Sequence, residues 1–231
     1  MSNSGLLSGV APALGRPGQV QAARGWSDHT VNSANGNYAV STSLYGSTNV
    51  ALASYLQWWT PFWWPVDVRA TAIGLKLITV GTAGAGDPTC RLGIYSSDHQ
   101  PQPAGRQRPG RLILDAGTLD LTATTGWREI AIDLPLLGGQ VYWGAFHHGL
   151  TGTNPTIVAY NWSGFANRHQ FGWDSIGTID QNGGRYTPVG YSAVLAYSAG
   201  FPSWTPPSAA LDGAGSTAYT SPVIAIKTVT L

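Results

Sequence analysis

The sequence of 231 residues is poor in charge, and the few charges are unevenly chosen. Charged residues make up 10% of it, far below the roughly 25% of ordinary soluble domains. Lysine occurs only at Lys76 and Lys227, and glutamate only at Glu129. This supply argues against long salt-bridged helices and against the concentrated basic patch that nucleic-acid binding needs. A net charge of +1 also favours association over colloidal repulsion.

Cysteine and long hydrophobic runs are also scarce. The single cysteine, Cys90, excludes an intrachain disulfide and a cysteine-based zinc site, and its place in TCRLGIY predicts a small buried side chain. No stretch approaches the ~18 apolar residues of a membrane helix. The N-terminal MSNSGLLSGVAPALGRPG has neither the basic region nor the apolar core of a signal peptide. We therefore expect no membrane insertion and no signal peptide.

From Tyr38 onward, short apolar runs alternate with turn residues, which is typical of β-structure. In REIAIDL (128–134), Ile130, Ile132 and Leu134 share one face, and such alternation marks a sheet with one buried side. In RATAIGLKLITV, one face is predicted to hold Thr71, Ile73, Leu75, Leu77 and Thr79. Strands are predicted near 38–44, 49–58, 68–80, 89–96, 111–121, 126–134, 139–147, 155–162, 191–198 and 222–230.

No convincing helix of ten or more residues occurs, so the sequence predicts an all-β protein. Many short strands separated by Gly, Pro and Asp turns favour an antiparallel β-sandwich, jelly-roll-like, with an extended N-terminal arm and long loops. The core candidates are Ile94, Leu112, Leu114, Ile130, Ile132, Tyr142 and Trp143. Trp127, which follows a glycine turn, is expected to cover one end of the sandwich.

The predicted organisation is an arm followed by one domain. Residues 1–37 are rich in Gly, Ala, Ser and Asn without a sustained period, which predicts an extended or flexible arm. Residues 38–231 form the sandwich domain, with long loops at 96–110, 163–190 and 201–221. Loops longer than ~12–15 residues in a compact domain are usually functional or poorly ordered.

Four segments in the middle of the chain follow a familiar order: RLGIYSSD (91–98), PGRLILDAGTLDL (109–121), TTGWREIAIDLPL (124–136) and GGQVYWGAFHHG (138–149). A strand ending in GIY, a Pro-Gly turn, a Gly-Trp turn and a glycine turn into YW succeed one another. This order resembles a β-sandwich module of tailed-bacteriophage virion proteins, found in tail fibres, baseplate parts and head-attached proteins. The resemblance implies a virion structural protein, in which host-glycan binding is an additional role, and it supplies no catalytic motif to carry over.

The sequence gives little basis for catalysis or a metal site. His147, His148 and His169 could supply imidazoles, but neighbours on a strand point to opposite faces, so surface or loop histidines are the simpler reading. Asp174 and Asp180 lie in one long loop, where turn chemistry explains them. Neither GxSxG, a P-loop nor HExxH is present. We predict no catalytic residues, no metal and no cofactor; a glycan hydrolase or lyase is the third-ranked alternative.

Aromatic residues are mixed with amides and an arginine in and beside the long loops. Flat rings stack on the apolar faces of sugars, and amides bond hydroxyls. The same composition suits a protein interface or plain loop packing, and all three readings stay open. The candidates for glycan or partner contact are Trp162, Arg168, His169, Trp173 and Trp204.

The densest aromatic stretch is YLQWWTPFWWP (55–65). Trp58 and Trp59 are neighbours, so on a strand one would enter the core and the other would face outward. Pro61 and Pro65 shorten any strand there. An exposed patch of this size is rare on monomers, so we predict a subunit interface, with an intradomain cluster or a membrane-facing wedge as alternatives. The interface candidates are Trp58, Trp59, Phe62, Trp63 and Trp64.

Together these observations predict a non-enzymatic structural subunit of a bacteriophage particle, acting through protein–protein assembly. The expected location is the virion, assembled in the host cytoplasm. The expected partners are copies of the same chain, with a trimer favoured by the resemblance, and other virion proteins. Nucleic acid is not an expected partner. The alternative function is a carbohydrate-binding or host-receptor-binding module, with a host surface glycan as its ligand.

Overall fold

The computed structural model describes residues 30–33, 36–40, 47–51, 53–64, 66–99, 107–161, 190–211 and 220–230. Its strands are β1 (Thr30–Ser33), β2 (Gly36–Val40), β3 (Ser47–Ala51), β4 (Leu56–Trp63), β5 (Val68–Thr79), β6 (Thr89–His99), β7 (Gln107–Asp120), β8 (Gly126–Leu136), β9 (Val141–His148), β10 (Thr156–Asn161), β11 (Tyr191–Val194), β12 (Ala210–Leu211), β13 (Thr220–Pro222) and β14 (Ala225–Thr230). A 3-10 turn, Tyr197–Ala199, follows β11. Within these ranges no helix has the length and hydrophobicity to cross a membrane.

The strands form two antiparallel sheets that pack face to face around a common core. In sheet A, β3, β10, β5 and β8 lie side by side, and in sheet B the order is β4, β9, β6 and β7. From β3 to β10 the chain crosses to the other sheet at every step except one, because β6 and β7 are neighbours in sheet B. This is the strand order of a jelly roll built from two Greek keys. The predicted all-β, jelly-roll-like sandwich is confirmed.

Further strands widen both sheets. β14 shares one side of β5 with β10, and the hairpin β1–β2 continues the sheet beyond β14. Residues 30–33 and 36–37 of the predicted arm therefore belong to sheet A. Their polar side chains give no hydrophobic alternation, but their backbone groups can still pair with an open strand. Residues 1–29 of that arm lie outside the described residues.

Each predicted strand overlaps a strand of the structure, but the stretch predicted at 49–58 is two strands. β3 belongs to sheet A and β4 to sheet B. The chain turns between them at Tyr55, whose φ of 60° is unusual for a residue other than glycine. The Tyr55 N–H donates to the carbonyl of His148 at 3.0 Å, which ties this turn to the end of β9.

Alternation along β5 and β8 places the core side chains largely as predicted. On β8, Ile130, Ile132 and Leu134 pack against the core while the residues between them are exposed. On β5 the core side chains are Val68, Ala70, Ile73, Leu75 and Leu77. The change of phase between Ala70 and Ile73 comes from a β-bulge in the pairing with β8, because one extra residue turns the following side chains to the other face.

Pro109 and Gly110 lie inside β7, and not in a turn before it as the resemblance implied. β7 begins at Gln107, and Pro109 is paired with Ser97 of β6. β7 is the outer strand of its sheet, and prolines within sheets occur mainly in such edge strands. The glycines at the start of β8 and before β9 do mark turns, since Gly126 and Gly139 have φ of 106° and 71°.

The outer face of sheet B is covered by residues 195–209, here called the strap. The strap leaves β11 beside β4, crosses to the opposite edge of the sheet and returns to β12, which pairs with β11. At its far point the Leu112 N–H donates to Ser203 O and the Thr205 N–H donates to Gly110 O, both at 2.9 Å. Beneath it lies a second core, formed by Trp59, Tyr95, Val141, Trp143, Ala145, Tyr191, Ala193, Phe201 and Ala209. Leu112 packs against this second core, not the first.

Gly93, the glycine of the GIY stretch, lies under the strap. A Cβ there would stand 2.7 Å from Phe201 Cε2 and 2.8 Å from the backbone oxygen of Leu114. Because a backbone carbonyl cannot easily move aside, we expect Gly93→Ala to lower the free energy of unfolding by about 1–3 kcal/mol, as overpacking typically does. Urea unfolding measures the change, and the exposed Thr118→Ala on the neighbouring strand serves as control, expected within about 0.5 kcal/mol of the parent. Equal stability of the glycine variant would show that Phe201 does not pack on this position.

Candidate functional site

The strand ends that flank three segments outside the described residues lie at the same end of the sandwich. β6 ends at His99, which is paired with Gln107 of β7, and β10 ends at Asn161, which is paired with Thr220 of β13. β11 and β12 point the same way, since Tyr191 is paired with Leu211. The short connections 64–67 and 137–140 lie at this end too, which is called the loop end below. The intervening segments, 100–106, 162–189 and 212–219, lie outside the described residues.

The loop end exposes apolar side chains. Val66 and Leu137 each expose 52% of their surface, and Val229 exposes 51%. Val66 adjoins the turn that follows Leu137, because a Cβ on Gly138 would lie 2.7 Å from Val66 Cα. The opposite end of the sandwich carries Val194, which exposes 78%. Half-exposed aliphatic side chains grouped at one end are a surface suited to contact with another protein.

The aromatic stretch 55–65 lies inside a single chain. Trp58, Trp59, Phe62 and Trp64 are all buried. As predicted, Trp58 and Trp59 point to opposite faces: Trp58 enters the core between the sheets, and Trp59 enters the core beneath the strap. The prediction that one of them faces outward is wrong, because the strap covers the outer face. These four rings offer no free surface to a second copy. Of Trp63, the fifth interface candidate, only the backbone in β4 is described.

The sequence predicted that Pro61 shortens its strand, but in the structure the strand continues past it. Pro61 lies within β4 and is paired with Trp143 of β9. On the other side, β11 begins at Tyr191, which is paired with Trp59, and within the described ranges no strand pairs with β4 at position 61 on that side. A proline at an edge costs no ladder bond. The aromatic rings that follow Pro61 pack together. The ring centroids of Phe62 and Tyr142 lie 6.0 Å apart in a stacked arrangement. The ring of Phe62 meets that of Trp64 edge-on, with centroids 5.1 Å apart.

His147 and His148 are fully buried, so reading them as surface or loop histidines is wrong. β9 is a central strand of a sheet covered on both faces, which the sequence did not reveal. His148 lies on the side of Phe146 and accepts the Leu150 N–H at Nδ1, at 3.3 Å. His147 lies on the other side, 5.3 Å from the ring of Tyr197 in the strap. Burial lowers the pKa of His147 to about 4, so this side chain is neutral at pH 7.

Two polar contacts of β6, the strand paired with β9 at His147, join it to the next strand of sheet B and to the strap. On β6, Arg91 Nη1 donates to Asp115 Oδ2 of β7 at 2.6 Å, and the hydroxyls of Thr89 and Tyr197 share a hydrogen bond of 2.6 Å.

Across the described ranges, no group of three or more His, Cys, Asp or Glu side chains could hold a metal ion. His169 lies outside those ranges. Cys90 is buried, as predicted, and burial raises the pKa of its thiol, so it acts as a small apolar side chain.

Of the predicted contact residues, Trp204 alone is described. It lies at the far point of the strap, exposes 59% of its surface and is paired with Arg111 of β7 in an antiparallel bridge. Trp162, Arg168, His169 and Trp173 lie outside the described residues, in the segment between β10 and β11.

Neither the protein-family models nor the curated proteins that were searched match this chain.

Proposed function

We propose that the protein is a non-enzymatic structural subunit of a bacteriophage particle, which assembles with copies of itself and with other virion proteins. The observation that carries this proposal is the loop end, where Val66, Leu137 and Val229 are half exposed. The resemblance of residues 91–149 to phage sandwich modules supports the class of protein. Such a subunit works by contact and needs neither a cofactor nor a metal.

The loop end fits assembly better than the stretch 55–65 does. An interface gains energy from apolar side chains that are in water before association and out of it afterwards. Trp58, Trp59, Phe62 and Trp64 are already out of water in one chain. Val66 and Leu137 each still have half of their surface to bury, so association can act on them.

We expect the purified chain to form a defined homo-oligomer at micromolar concentration without added sugar, with a trimer favoured by the resemblance. Leu137→Glu should weaken this assembly at least about tenfold, because a charge in a closed apolar contact must be desolvated without a partner. Val194→Glu places the same charge at the opposite end and should leave the assembly unchanged. Sedimentation velocity over a concentration series measures both.

A clean monomer of the parent chain at micromolar concentration would count against self-assembly. An oligomer that tolerates Leu137→Glu and dissociates with Val194→Glu would place the contact at the other end of the sandwich. The alternative function, a carbohydrate-binding or host-receptor-binding module, is favoured by a different observation, the exposed Trp204 beside Arg111.

A further inference from the structure

We propose that Trp204 and Arg111 form a binding site for anionic saccharides. This inference goes beyond assembly and does not rest on it. The two residues face each other in an isolated antiparallel bridge, and the hydrogen bonds on either side join Leu112 N to Ser203 O and Thr205 N to Gly110 O. In this arrangement Trp204 and Arg111 are a non-hydrogen-bonded pair, whose Cβ atoms typically lie about 4.5–5.5 Å apart on one face.

The indole of Trp204 is open to a ligand. It exposes 59% of its surface, whereas Trp58, Trp59, Trp64 and Trp143 are buried. None of the ring contacts within the described ranges involves Trp204. A tryptophan can bury about 150–250 Å², so leaving this one in water is costly unless something covers it. The flat apolar face of a sugar ring has the right size and chemistry to do so.

The backbone that carries Trp204 is fixed before any ligand arrives. Phe201 packs edge-on against Tyr95 with ring centroids 6.1 Å apart, and the Tyr95 hydroxyl donates to Pro202 O at 2.8 Å. On the C-terminal side of Trp204, Arg108 Nη2 donates to Pro206 O at 3.1 Å. Because the strap is already ordered, binding loses little conformational entropy there, which is the advantage of a preorganised site.

Arg111 gives the site its preference for a negative charge. The ion pairs of the described residues join Arg69 to Asp133, Arg91 to Asp115 and Lys227 to Glu129, and Arg111 takes part in none of them. Its guanidinium is thus available to a carboxylate or phosphate, which it can bind through two parallel hydrogen bonds, in a bidentate arrangement. A sugar that stacks on the indole and directs an acidic group at Arg111 satisfies both side chains together.

The test uses intrinsic tryptophan fluorescence and affinity electrophoresis of the full chain with defined polysaccharides. The anionic probes are polygalacturonate, hyaluronan, polysialic acid and a glycerol teichoic acid, so that carboxylate and phosphate sources are separated. The uncharged probes are methyl-esterified polygalacturonate and dextran. We expect at least one anionic probe to bind, with at least about tenfold preference over the uncharged ones and with weaker binding at high salt.

Trp204→Ala should weaken that binding at least about tenfold, as loss of an aromatic anchor does, with an unchanged thermal midpoint. Arg111→Ala should remove the preference for the anionic probe. The matched control is Arg69→Ala, another exposed arginine, which should bind like the parent. The proposal fails if no anionic probe binds, or if binding is unaffected by Trp204→Ala. It also fails if Trp204→Ala disturbs self-association instead of saccharide binding. That result would show that Trp204 contacts another protein, and it would leave the proposed assembly function intact.

Discussion

Trp59→Ala is expected to lower the free energy of unfolding by about 3–5 kcal/mol, the usual cost of truncating a large aromatic residue in a core. Trp59 is fully buried and meets the ring of Tyr95 edge-on at 5.9 Å. Its removal opens a cavity between sheet B and the strap. Since small domains are stable by only about 5–15 kcal/mol, this single change should remove a large part of the total. Denaturant unfolding followed by circular dichroism measures it.

Trp204→Ala is the matched control, because it removes the same side chain from an exposed position. We expect a change within about 0.5 kcal/mol, as for most surface substitutions. The comparison also separates the two interpretations of the stretch 55–65. A Trp59→Ala protein that kept its full stability but lost its oligomeric state would show that this ring serves an interface, against its burial in the single chain.

Acidification is expected to destabilise the protein through His147. Its pKa in the folded chain is about 4, against an ordinary value of 6.5, because burial disfavours the charged ring and the nearby His148 and Arg91 add repulsion. Between these pH values the unfolded chain binds a proton that the folded chain does not. The stabilisation is complete above pH 6.5 and falls by about 3 kcal/mol as the pH drops to 4.

The variant His147→Gln tests this assignment. Glutamine keeps a polar side chain of similar reach but does not titrate, so the fall in stability between pH 6.5 and 4 should become shallower by about 3 kcal/mol. Stability curves of parent and variant are measured by urea unfolding at several pH values. Parallel pH profiles would show that other groups, such as the aspartates, account for the acid sensitivity.

The strands could be predicted well from local sequence, because the alternation of apolar and polar residues is visible within each strand. β8 could be read residue by residue, since Ile130, Ile132 and Leu134 face the core and their neighbours are exposed. β5 could be read only from Ile73 onward, because the bulge after Ala70 reverses the phase without changing the composition. A bulge depends on the pairing with a neighbouring strand, and that pairing is not visible in one strand.

The strap explains why the stretch 55–65 was misread. Period two predicted correctly that Trp58 and Trp59 point apart, but it could not show that both faces of the sheet are covered. Phe201, which covers this face, lies more than a hundred positions downstream, in a part of the chain with no regular period of its own. The sequence predicted a long loop at 201–221, and nothing in it indicated which face of the sheet that part of the chain crosses.

The candidate contact residues were predictable by type and not by place. Trp204 was identified from its surroundings in a polar, proline-rich stretch. Its partner Arg111 was not identified. The two residues are far apart in sequence, and the bridge between them forms only when the strap folds across the sheet. The exposed aliphatic residues Val66, Leu137 and Val229 were missed altogether, since a single valine or leucine near a turn looks the same in sequence whether it is buried or exposed.

The position of β14 has a consequence for how the chain folds as it is made. β14 is the last of the described strands, yet it lies in the interior of sheet A, between β5 and β2. A ribosome-bound chain that has not yet released residues 225–230 would therefore leave one side of β5 partly open and the hairpin β1–β2 without its neighbour. Sheet A can be completed only after synthesis has passed these residues, and its completion joins the first described strands to the last.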